Sequence, residues 1–78
     1  MDMDIESARL LAAGLSMGIG AIGPAIGEGF IGGKTMEAIS RNPQLSDKLL
    51  PNMLVAMAVT ESTGIYSLVV ALIILFVV

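Results

Sequence analysis

Two long apolar stretches separated by a short polar segment organise this chain, and its charges fall into three places. Asp2, Asp4, Glu6 and Arg9 open the sequence, and Lys34, Glu37, Arg41, Asp47 and Lys48 mark its middle. Glu28 and Glu61 stand alone in apolar surroundings. The middle contains Ser40-Arg41-Asn42-Pro43-Gln44, where the Asn-Pro pair favours a turn and the residue before proline is biased away from helix. The pattern predicts an all-α membrane protein, one domain over residues 1–78, folded as a two-helix antiparallel transmembrane hairpin. Helix 1 is expected over about 6–40, the loop over about 41–45 and helix 2 over about 46–77. Each helix would reach ~45 Å or more at 1.5 Å per residue. That exceeds the ~30 Å hydrocarbon core of a bilayer, so the loop ends should protrude into water.

Composition supports lipid as the solvent. The 78 residues are 55% apolar and 14% charged, with mean hydropathy +0.88. Ile65–Val78 runs fourteen residues without a charge, which disfavours a soluble helical bundle. The absence of cysteine excludes disulfides and thiolate chemistry, and the absence of histidine removes the commonest general base and transition-metal ligand. A net charge of −3 speaks against a nucleic-acid partner. The acidic start lacks the basic region of a cleavable signal peptide, so helix 1 is expected to be retained. The loop region carries Lys34, Arg41 and Lys48 against Arg9 on the terminal side. The positive-inside rule therefore places the loop in the cytoplasm and both termini outside.

Helix 1 is rich in small residues. Ala21, Ala25, Gly29 and Gly33 form one row at four-residue spacing, Gly14 and Gly18 begin another, and Gly23 and Gly27 lie beside the first. Such rows let helix backbones approach closely in membranes. One row is explained by a simple helix dimer; several adjacent rows suggest tight packing on two sides, as on the inner wall of a ring. A nucleotide-binding reading of Gly18-Ile19-Gly20 fails, because no strand precedes it and Glu28 would repel phosphate.

Glu61 is the most informative residue. An ionised carboxylate mid-membrane costs at least ~2.5 kcal/mol, and intramembrane acids usually mark an ion or proton pathway. Glu28 and Glu61 are 33 residues apart, and their midpoint falls in the expected turn. Each would lie about 24 Å from that turn along its helix, so both arrive at one depth. Two such carboxylates in low dielectric cannot easily both ionise, and the pair should keep a proton or take up a cation. Val59, Ser62, Thr63 and Tyr66 share one helical face beside Glu61, offering two hydroxyls, a phenol and a backbone carbonyl. Serine and threonine in membrane helices often only bond the preceding turn, and tyrosine often sits at headgroup level. Clustered at a mid-membrane acid, these oxygens read instead as a site for a small hard cation.

These residues resemble the c subunit of F-type ATP synthases, the hairpin proteolipid of the rotor ring. The match spans nearly the whole chain and rests on Ala21-Ile22-Gly23-Pro24-Ala25-Ile26-Gly27-Glu28-Gly29, the loop Arg41-Asn42-Pro43, and Glu61. Ala21 and Ala25 replace glycines of the usual repeat, and Asn42 stands where many members have glutamine. Glu61-Ser62-Thr63-Gly64-Ile65-Tyr66-Ser67 resembles the sodium-binding subgroup. There the resemblance implies a side-chain oxygen at the Glu28 position, the Glu61 carboxylate, the Val59 carbonyl and the Ser62 hydroxyl as ligands. It also implies a water held by Thr63 and a bond from Tyr66 to the carboxylate. Glutamine is frequent at the Glu28 position, so this chain looks like a two-carboxylate variant, and such a pair can also hold a proton.

What the resemblance implies is a non-catalytic, ion-translocating rotor component without a cofactor. Copies of the chain would form a homo-oligomeric ring in lipid, in the bacterial plasma membrane. Each copy would carry one Na+, or alternatively H+, at Glu61. The a subunit of the stator would supply a basic group and water access for ion exchange. The loop residues Arg41, Asn42 and Pro43 would meet the gamma and epsilon subunits of the central stalk, so that rotation couples to ATP synthesis. The competing reading is a small structural or pore-forming hairpin, such as a holin-like oligomer, which requires neither paired acids nor this loop.

Overall fold

The computed structural model describes residues 3–77; Met1, Asp2 and Val78 lie outside them, and with Asp2 part of the acidic start noted above. Three α-helices form a hairpin: α1 over Ile5–Gly20, α2 over Ile22–Arg41 and α3 over Ser46–Phe76. Helices α1 and α2 together make the first arm, and both pack along α3.

The first arm begins with a capped turn. Asp4 is extended at φ −71°, ψ 170°, and its carboxylate accepts a 2.6 Å bond from the Ser7 amide. That bond satisfies one of the amides a helix start leaves unpartnered. It also holds the Asp4 carboxyl below the ordinary carboxylate range. The arm is not the unbroken helix expected from the apolar pattern, since Ala21 separates α1 from α2. Pro24 supplies the reason: it has no N–H, so the Gly20 carbonyl loses its partner one turn on. Ala21 stays close to helical at φ −84°, ψ −15°, donates to Met17 at 3.0 Å and accepts from Ala25 at 3.1 Å. The interruption thus places Pro24 in the first turn of α2, where a proline removes no intrahelical bond.

The turn is more ordered than a loop over 41–45. Helix α2 runs to Arg41, Asn42 caps it at φ −137°, ψ 75°, and Pro43–Leu45 form one 3₁₀ turn leading into α3. Before it, Glu37 is bridged by Lys34 at 3.5 Å and Arg41 at 3.4 Å. These are exposed pairs of the kind worth only ~0–1 kcal/mol.

The hairpin measures 59 × 24 × 9 Å, a sheet of helix one layer thick. Its length exceeds the ~30 Å apolar slab of a bilayer. Both arms, Ile5–Arg41 and Pro43–Phe76, are long and apolar enough to span, and only 11% of each apolar window is buried. A core helix of a soluble protein would be mostly covered. Here Ile26, Phe30, Leu54 and Val59 are exposed, and the buried residues are small or cyclic: Ala13, Pro24, Gly64 and Ala71.

Candidate ion-binding site

Close contacts fix the register between the arms. The Ser16 hydroxyl donates to the Ser67 carbonyl at 3.3 Å. A methyl group added at Gly20 would fall on the Ser67 side chain, and one at Gly27 would meet the Thr60 methyl at 3.0 Å. One added at Gly32 would meet the Met57 terminal methyl at 3.0 Å, and one at Gly64 would touch Pro24 at 3.6 Å. The missing side chains at Gly20, Gly27 and Gly32 let α3 approach the first arm closely over its middle third.

This register carries Glu28 and Glu61 to one level, where their carboxyl groups lie close enough to interact. Each acid sits one helical turn on the loop side of the Pro24–Gly64 contact, because Glu28 follows Pro24 by four residues and Glu61 precedes Gly64 by three. The Glu61 Oε1 lies 3.2 Å from where a Gly64 Cβ would be, so the carboxyl folds over the glycine. A groove of about 400 Å³ lies alongside, lined by Gly23, Pro24, Val59, Thr60 and Thr63.

The Ser62 hydroxyl donates to the Val59 carbonyl at 2.6 Å, so these two oxygens already converge. The Thr60 hydroxyl likewise bonds its own helix, at the Ala56 carbonyl, 2.9 Å away. Among the described residues the Tyr66 hydroxyl makes no hydrogen bond within the hairpin, and 68% of the residue's surface is exposed. The bond from Tyr66 to the carboxylate that the resemblance implies is therefore absent from a single hairpin. Thr63 is also exposed. No cluster of three acids, histidines or cysteines occurs among the described residues, so any cation here would depend on hydroxyl and carbonyl oxygens besides the two acids.

The glycines sort by direction. Of Gly14, Gly18, Gly23, Gly27, Gly29 and Gly33, only Gly27 meets α3; the others face open space, and Ala25 is exposed. Gly20, Gly32 and Gly64, with Pro24, Ser16 and Ser67, do the packing inside the hairpin, and the small-residue rows of the sequence do not single them out. Pro24 carried a usable signal, as a proline one turn from an acid.

A family model for the ATP synthase C subunit matches residues 11–74. The chain belongs to the ATP synthase c-subunit family. It is 65% identical over 69 residues to the ATP synthase c subunit of Petrotoga mobilis, covering 88% of this chain and 72% of the relative. It is 56% identical over 70 residues to that of Thermotoga petrophila, covering 90% and 82%. It is 44% identical over 75 residues to that of Dehalococcoides mccartyi, covering 96% and 99%. As a member of this family, the chain is a membrane-embedded, non-catalytic rotor component of ATP synthase. The paired acids, the exposed hydroxyl face and the outward glycines all belong to one copy of that component.

Proposed function

We propose that copies of this chain pack side by side into a ring in the bacterial plasma membrane and that Glu61 of each copy carries one ion. The observation that bears most weight is the meeting of Glu28 and Glu61 between two membrane-length helices. Two carboxylates there cannot stay ionised together without a proton or a cation between them. The five glycines that meet nothing within the hairpin support close packing of further copies.

The ion is proposed to be Na+. Glu61 supplies the charged oxygen, Ser62 and the Val59 carbonyl two more, and a water held by Thr63 completes the shell, while Glu28 retains a proton. The exposure of Tyr66 and Val59 supports a site completed by the neighbouring copy. Away from the stator the site stays loaded, since a bare charge facing lipid is too costly. At the a subunit of the stator, a basic group and water let the ion exchange. The loop Arg41-Asn42-Pro43 faces the cytoplasm and meets the gamma and epsilon subunits, passing rotation to the catalytic head. Proton carriage is the second reading, favoured by the pairing of two carboxyl groups, since such a pair can share a proton without any further ligand.

Carbodiimide labelling of the purified ring separates these readings, because the reagent needs a protonated acid. Sodium should protect Glu61, and Glu28→Gln should keep that protection. Labelling at Glu61 that sodium leaves unchanged at every pH means that the ring carries protons.

A further inference from the structure

Gly64 has no role in the ligand set above, yet it lies against both the Glu61 carboxyl and the contact between the arms. It is buried, and Pro24 lies 3.6 and 3.7 Å from the position of its missing Cβ, an ordinary van der Waals spacing. The Glu61 Oε1 is nearer, at 3.2 Å. In an α-helix each Cα–Cβ bond tilts toward the N-terminus, so a side chain at position 64 would lean over the turn bearing Glu61.

We propose that Gly64 is the positioning residue of the acid pair: the space its missing Cβ leaves against Pro24 is where the Glu61 carboxyl folds to meet Glu28. The inference rests on the reading of Glu61 as the ion carrier for its functional meaning, but its geometry stands apart from which ion is carried. A Cβ at position 64 fits against Pro24 without moving the helices. Beside Oε1 it is tight, so a neighbour must give by a few tenths of an ångström, and the carboxyl, as the mobile end of a flexible side chain, gives way first. Gly64→Ala therefore turns Glu61 away from Glu28 while leaving the hairpin intact, helped by alanine's better helix propensity.

The test uses the assembled oligomer purified from membranes. The carboxyl stretching band of Glu61 is isolated by infrared subtraction of a Glu61→Gln ring, and carbodiimide labelling is timed at one pH. Gly64→Ala should assemble, shift that band from a hydrogen-bonded to an isolated carboxyl, and raise the labelling rate by about fivefold or more, as expected for loss of one shielding hydrogen bond. In a Glu61→Asp background, where the carboxyl is drawn back by one methylene, Gly64→Ala should change neither readout. An unchanged band and rate in Gly64→Ala overturns the proposal. If Gly64→Ala fails to assemble, the Glu61→Asp, Gly64→Ala double variant decides: assembly supports the clash with Glu61, and failure places the essential contact at Pro24 and overturns it. A ring in which Glu61→Gln still couples would sink the carrier reading but leave these band shifts in place.

Discussion

Single residues govern both the start of the hairpin and its charge. The Asp4 carboxylate takes the Ser7 amide, which holds its pKa below the ordinary value. A group depressed on folding contributes stability that is present above its unfolded pKa and lost as pH falls through the lower folded value. The first turn of α1 should therefore fray in acid, seen as a lower protection factor of the Ser7 amide relative to its intrinsic exchange rate at each pH, and Asp4→Asn should blunt that dependence. Glu61 was legible in the sequence because an acid in an apolar run is conspicuous. Gly64 was not, because its effect lies in an atom it lacks, and the crowding against Glu61 appears only once the direction of that carboxyl is known.

At the scale of elements, the hairpin and its turn could be read from the apolar pattern and the Asn42-Pro43 pair. The division of the first arm at Ala21 could have been argued from Pro24, but hydropathy does not register a missing N–H. The direction of each glycine was hidden for a different reason: four-residue spacing identifies a row without saying which partner it faces. Gly20 makes this distinction testable. Its missing side chain accommodates Ser67, so Gly20→Ala overpacks the contact and should cost about 1–3 kcal/mol of hairpin stability. Thermal unfolding in detergent should register the loss, and Ser67→Gly should recover most of it. A Gly20→Ala protein as stable as wild type would mean that the arms do not meet in this register.

For the whole molecule, a layer 9 Å thick with exposed apolar faces cannot be a finished structure in water, and lipid and further copies are its natural surroundings. The 3₁₀ turn at Pro43–Leu45 ends a hairpin 59 Å long, long enough to stand clear of the bilayer. Asn42→Cys should crosslink to a cysteine on the central stalk, and labelling of that residue from the outer side of intact cells would reverse the topology. The sequence placed both acids at one depth because antiparallel helices of equal rise conserve distance from the turn; the contact between their carboxyls depends on packing that depth alone does not specify. Ion-driven ATP synthesis by membranes carrying Glu61→Gln tests the central claim most directly. The ring should assemble in normal amounts and synthesis should be lost, whereas full coupling in that variant would contradict Glu61 as the carrier of the ion.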